Sequence, residues 1–209
     1  MTPACERLLD EGCAAQGITL DALARTRLLD FLALLHKWNR AYNLTAVRDP
    51  ETMVSRHLLD SLSIMPWVHG PRVLDVGAGA GLPGLVLAIV MPELDITLLD
   101  SNGKKVRFQR QATFELGLKN VTPFQARVEA FEDPQGFDQI LSRAFSSLDT
   151  FVSTSRALIK PQGEWLAMKG RLEGADVAMP QQAHLVDTIV LNVPNEPGQR
   201  HLLRLVAEH

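Results

Sequence analysis

The sequence predicts an α/β fold: a mostly parallel sheet with helices on both faces, finishing in an antiparallel pair and preceded by a helical extension. Three observations predict it. Strand and helix signals alternate from Pro71 onward, whereas residues 1–70 read as helical throughout. A glycine-rich run, Gly77-Ala78-Gly79-Ala80-Gly81, follows directly on the first strand-like run. The last two strand-like runs are separated by a hairpin signal, Asn195-Glu196-Pro197-Gly198. Strands alternating with helices of this length build parallel sheets covered by helices. The chain accordingly divides into a helical extension, 1–70, and an α/β domain, 71–209.

Each element has its own signal. Leu28, Phe31, Leu35, Trp38 and Tyr42 fall at helical spacing and make one apolar stripe on a helix of about four turns. Thr19 or Thr26 is its expected N-cap, and the segment from Asn43 ends it. Asp49-Pro50-Glu51 starts the next helix with proline in the first turn. That helix carries Met53, His57, Leu58, Ser61 and Leu62 and ends near Pro66. Arg72–Val76 is a short apolar strand, and a helix runs from about Pro83 to Met91 after the glycines. Leu94–Asp100 is a second strand, followed by a helix over Lys104–Leu116. Strands follow at Asn120–Gln125 and Phe137–Ser142. A helix over Leu148–Ile159, a turn at Pro161-Gln162-Gly163 and a strand over Glu164–Lys169 come next. Ala183–Val193 and His201–Val206 make the final antiparallel pair.

Composition narrows the function classes. The 209 residues are 46% hydrophobic, which fits a packed globular chain and argues against disorder. No uninterrupted apolar run reaches the roughly 18 residues a membrane span requires. Glu6, Asp10 and Glu11 stand where a secretory signal would place basic residues, so none is expected. Two cysteines, Cys5 and Cys13, are too few for a disulfide framework or a zinc site. A cytoplasmic chain without a metal follows, and a monomer is expected because no long exposed apolar stripe is left over. The net charge of −3 means that any contact with RNA must come from local basic clusters.

The run from Val73 to Gly81 carries the most chemistry. Glycines at alternating positions after a strand remove side chains where backbone must approach a ligand. Gly79-Ala80-Gly81-Leu82-Pro83-Gly84 matches the dinucleotide spacing G-x-G-x-x-G. That register, however, starts four residues past Asp75 rather than at the strand end. Asp75 itself would be poorly placed beside a pyrophosphate. A carboxylate there can order the loop and attract a cationic ligand, directly or through water, which favours S-adenosylmethionine. Asp100, closing the second strand, can accept hydrogen bonds from both ribose hydroxyls of a nucleoside. Both cofactors would want Asp100, so it does not choose between them.

Several further runs join this one: Lys37-Trp38-Asn39, Asn43-Leu44-Thr45, Arg56-His57-Leu58-Leu59-Asp60-Ser61, Gly81-Leu82-Pro83-Gly84, Asp100-Ser101 with Lys104-Lys105, Arg127-Val128-Glu129, Ser142-Arg143-Ala144-Phe145 and Lys169-Gly170. Together they resemble the bacterial small-subunit ribosomal RNA guanine-N7 methyltransferases, once called glucose-inhibited division protein B. The resemblance covers about Leu28 to Lys169. It implies a Rossmann-like class I methyltransferase fold with a seven-stranded sheet, S-adenosylmethionine as cofactor, and a guanine in the decoding-region loop of 16S rRNA as substrate. By the same pattern Gly77, Leu82, Val128, Glu129 and Arg143 contact the cofactor, and Asp100 holds its ribose. With Asp75 and Gly79 from the glycine loop, these make the expected cofactor site. The segment with Gly174 and Pro180 is less diagnostic.

Guanine N7 has a lone pair and no proton, so its attack on a methyl group needs no strong base. Proximity and alignment should dominate. The residues expected to position substrate are Arg127, Arg143 and His57. Arg143 is expected on cofactor or phosphate, because a cation aimed at N7 would oppose attack. Phe145 is either a stacking surface for a flipped base or a core residue. His57 and Asp60 either line the substrate pocket, form a hinge to the helical extension, or make a polar interface between that extension and the sheet. Basic residues cluster at Lys104, Lys105, Arg107 and Arg110, and again at Lys169 and Arg171. An RNA path over Lys104, Lys105 and Lys169 is expected along the cofactor rim. Three other readings stay open: a methyltransferase for a small molecule or protein, a nicotinamide oxidoreductase, and a non-catalytic adaptor that binds S-adenosylmethionine.

Overall fold

The computed structural model describes residues 1–143, 145, 147–170, 172 and 180–208. Its strands are β1 (Arg72–Val76), β2 (Asp95–Asp100), β3 (Val121–Gln125), β4 (Phe137–Ser142), β5 (Ile159–Lys169), β6 (Ala183–Leu191) and β7 (Arg200–Ala207). They form one sheet in the order β3-β2-β1-β4-β5-β7-β6. Strands β1 to β5 pair in parallel, and β7 inserts antiparallel between β5 and β6. The chain order reverses between β1 and β4, where a crevice opens beyond the strand ends.

Side chains alternate across this sheet, as the period of two demands. Val73, Ile96 and Leu98 join a core with helices α2 (Ala22–Tyr42), α5 (Gly84–Val90) and α6 (Gly103–Glu115). Leu74, Leu99, Ile140 and Trp165 face the other way and pack with α7 (Leu148–Ser155). Helix α1 (Pro3–Ala15) contributes Cys5, Leu9 and Cys13 to the first core. The N-terminal helices therefore share a continuous apolar core with one face of the sheet. Among the described residues, no helix is long and apolar enough to cross a membrane.

The expected stripe on α2 is fully buried at Leu28, Phe31 and Leu35, half-buried at Trp38 and exposed at Tyr42, where the helix runs past the core. Its N-cap is neither Thr19 nor Thr26. Asp21 accepts the Ala24 N–H at 2.7 Å, while Thr26 already lies inside the helix and donates to Ala22 O. A carboxylate at that position also meets the positive end of the helix. Asn43 ends α2 in the left-handed conformation, φ 51°. The helix after Pro50 is broken in character: α3 (Pro50–Met53), a π-helical stretch Val54–Leu59, and α4 (Asp60–Leu62). Such π turns shift which side chains share a face.

The turn expected at Pro161-Gln162-Gly163 is instead absorbed into β5. Phe137 pairs with Ile159 and Gln139 with Glu164, so extra β5 residues bulge between two ladder pairs. Helix α7 is correspondingly shorter than expected and yields to a 3-10 turn at Arg156–Leu158.

Candidate functional site

Three linked cavities lie along the C-terminal ends of the parallel strands. The first, about 320 Å³, is lined by Gly77, Asp100, Lys105, Arg127, Val128 and Glu129 among others. The second, about 160 Å³, lies over the glycine loop between Leu44, Thr45, Leu82 and Arg143. Gly77 and Lys105 line both. The third, about 380 Å³, gathers Arg56, His57, Asp60, Arg143, Lys169 and Arg200. Arg143 belongs to the second and third cavities alike and stands where they meet.

The first two cavities are built largely by backbone. Gly77, Gly79 and Gly81 all have positive φ, at 69°, 58° and 80°, which only glycine adopts without strain. A Cβ on Gly77 would meet no protein atom within 4 Å and would instead occupy cleft space. The loop is fixed from behind. Gly77 N and Ala78 N donate to Leu99 O, Gly79 N donates to Asp100 Oδ2 at 2.8 Å, and Gln109 Nε2 donates to Gly79 O.

Asp75 is fully buried, and its Oδ2 accepts the Gly84 N–H at the start of α5. Its place is therefore behind the loop, where it orders the chain; it does not line the cavities. Burial raises its carboxyl to about 7. Asp100 accepts from both Gly79 N and Asn102 N. Each of its oxygens keeps a second lone pair for a hydroxyl from the first cavity. An open glycine cradle beside a carboxylate at the lip fits the amino-acid and ribose ends of S-adenosylmethionine.

The third cavity is held by side chains. Asp60 is almost wholly buried, and its Oδ2 lies 3.2 Å from Arg143 while its Oδ1 lies 3.6 Å from Arg200. Arg200 donates to Glu196 Oε1 at 2.8 Å, and Arg56 donates to Glu196 Oε2 at 2.9 Å. Arg143 also donates to Arg56 O. Burial raises the Asp60 carboxyl against the opposing pull of Arg143. His57 bonds Thr45 Oγ1 through Nε2 at 3.0 Å. Burial, and then the Arg143 charge, push His57 down to about 4, so it is neutral near pH 7. Lys169 lines the same cavity and donates to Phe145 O.

The structure thus gathers Gly77, Gly79, Leu82, Asp100, Val128, Glu129, Arg127 and Arg143 around the first two cavities, and His57, Arg143 and Lys169 around the third. Lys105 lies 3.8 Å from Asp100, whereas Lys104 stands exposed on the first turn of α6 outside the cavities. Phe145 lines the first cavity and packs on Phe151, ring centroids 5.2 Å apart. Ala144, Arg171 and Gly174 lie outside the described residues. Thr45, Glu196 and Arg200 were not singled out as site residues by the sequence. Glu196 was readable only as part of a turn, and nothing local marks Arg200 as a partner of Asp60.

Comparison with known proteins shows the family and the fold. The family described as GidB, rRNA small subunit methyltransferase G, matches residues 24–203. Ribosomal RNA small subunit methyltransferase G of Chromohalobacter salexigens is 64% identical over 98% of this chain and 99% of its own. The protein of the same name from Pseudomonas syringae pv. tomato is 51% identical over 98% of both chains. Among solved structures, TrmN from Thermus thermophilus superposes with a TM-score of 0.60 at 20% identity, covering 81% of this chain and 53% of that one. A SAM-dependent methyltransferase from Aquifex aeolicus gives 0.59 at 18% identity, covering 79% and 97%. Both have the same class of fold.

Proposed function

The chain belongs to the rRNA small subunit methyltransferase G family, and from that membership we propose that it methylates N7 of one guanine in the decoding-region loop of 16S rRNA. It is an S-adenosylmethionine-dependent methyltransferase, and the small-subunit RNA is its substrate. The observation that carries the finer reading is the junction at Arg143, where the cavity over the glycine loop opens into a basic cavity.

S-adenosylmethionine, when bound, supplies an electrophilic methyl group on a sulfonium. Asp100 would hold the ribose hydroxyls, and Val128 and Glu129 would flank the base. Gly77, Gly79 and Leu82 shape the cradle for the amino-acid end. Asp75 keeps that cradle in place by holding the start of α5. The third cavity receives the guanine. N7 has no proton to remove, so the cavity needs no base there. Neutral His57 suits that task, because it adds no positive charge opposite an attacking lone pair. Asp60 turns Arg143 and Arg200 toward itself, which offsets their charge and sets their direction. Arg127, Lys104, Lys105 and Lys169 make a basic rim for backbone phosphates. The protein acts as a monomer in the cytoplasm.

The test is methyl transfer from labelled S-adenosylmethionine to small subunits and naked 16S RNA from cells lacking this protein, with N7-methylguanine mapped by strand cleavage. Label at one guanine of the decoding-region loop is expected. Label elsewhere, or none despite measurable cofactor binding, would overturn the assignment.

A further inference from the structure

Helix α6 leaves the cofactor rim at Lys104 and runs away from it along the β3 edge of the sheet. Its outward face carries Lys104, Arg107, Arg110 and Phe114, all exposed, and Lys119 follows in the next turn. These positions recur at helical spacing, so they line up on one surface. In a chain of net charge −3, four cations with Glu115 as the one carboxylate beside them is a local reversal of sign. Among the described residues none of the four takes part in an ion pair. Glu115 accepts a hydrogen bond from Gln111 Nε2 at 2.6 Å and pairs with none of them.

The line ends in a shallow depression of about 380 Å³ formed by Arg110, Phe114, Leu118, Lys119 and Pro123 among others. Phe114 is 82% exposed there, more than any other large hydrophobic among the described residues. Core packing does not account for it. An aromatic face flanked by two cations suits an unpaired base with phosphates on either side.

Resting on the rRNA reading above, we infer that the outer face of α6 is a second RNA-binding surface, with phosphates on Arg107, Arg110 and Lys119 and one unstacked base on Phe114. The rise of a helix puts Phe114 about 15 Å from Lys104. The surface therefore grips RNA outside the reacting nucleotide and adds to the choice of substrate without touching the chemistry.

The test compares Phe114→Ala, Phe114→Leu and Phe114→Trp with the parent chain, binding naked 16S RNA and small subunits by filter retention across a salt series. Phe114→Ala and Phe114→Leu are expected to weaken binding roughly tenfold, and Phe114→Trp to retain it. Replacing Arg110 and Lys119 by Gln should lower the salt slope by about 0.7 for each phosphate no longer neutralised. S-adenosylmethionine affinity, thermal midpoint and kcat at saturating RNA should stay unchanged. Equal binding by all variants overturns the proposal. Retention by Phe114→Leu, or weakening seen with subunits and not with naked RNA, overturns it in favour of an apolar protein partner. Binding is read without methyl transfer, so a parent chain that binds RNA but modifies no guanine would strike the proposed function and leave this one standing. A parent chain that binds neither RNA nor subunits overturns both.

Discussion

The glycine cradle and the basic cavity sit on either side of Arg143, yet they are made in opposite ways. The cradle is one contiguous segment, residues 77–82, whose backbone is the binding surface and whose supports lie on the next strand and helix. The basic cavity takes Arg56 and Asp60 from the helical extension, Arg143 from the end of β4, Lys169 from β5, and Arg200 from β7. A site built of backbone is local in sequence and tolerates almost no side chain. A site built of charged side chains is dispersed, and its members hold one another. The two should therefore fail differently when altered.

The largest expected effect is on the support of the cradle. Asp75 has a folded pKa near 7, against the ordinary 3.8. The folded chain holds a proton there that the unfolded chain does not between those values. Its stabilising contribution is full below about pH 4 and is lost as pH rises through 7. The stability of Asp75→Asn relative to the parent should thus rise by on the order of 3 kcal/mol between pH 4.5 and 8. Urea unfolding of both proteins at the two pH values measures this, and His57 and every other group cancel in the difference. A flat difference would mean that Asp75 is not held in a dry site.

Next comes the cradle itself. Gly77→Val puts a branched side chain into cleft space at a positive φ. S-adenosylmethionine affinity should fall by about 100-fold or more, while RNA binding is kept. Titration calorimetry would show it, and an unchanged affinity would end the idea that this backbone floors the cleft.

The dispersed cavity should show the reverse pattern. Asp60→Ala leaves Arg143 and Arg200 without their shared carboxylate. Both arginines are partly exposed, so the expected loss of stability is about 2 kcal/mol, below the value for a fully buried pair. Transfer should fall with KM for RNA rising and cofactor affinity little changed. Equal damage to cofactor binding would show that the two regions are one site. The smallest effect belongs to the rim: Lys104→Ala with Lys105→Ala should weaken RNA binding a few-fold and lower its salt slope by about 1.4.

The same contrast explains what could be read from the sequence. The strands, the glycine turn, Asp100 and the final antiparallel pair announce themselves within a few residues, through alternation and glycine spacing. The N-cap at Asp21 stands between two threonines, and aspartate is the stronger cap of the three, so this one was legible from residue preference. The π stretch at Val54–Leu59 has no local signature; it is packed between α1 and α2, far from it in sequence. Glu196 and Arg200 carried no signal of function, because their partners Arg56 and Asp60 lie far back in the chain. Only the insertion of β7 between β5 and β6 brings them together.

That insertion has a consequence for how the protein comes into being. Synthesis proceeds from the N-terminus, so the cradle residues and both of their carboxylates emerge well before Arg200. The nascent chain can shape a cofactor cleft while the neighbouring cavity still lacks one wall. Gln16, which donates to both Leu59 O and Asn192 O, cannot complete its bridge until the last hairpin arrives. The cavity is thus closed only once β7 is seated, so its completion is a late step in the folding of each copy, later than that of the cradle.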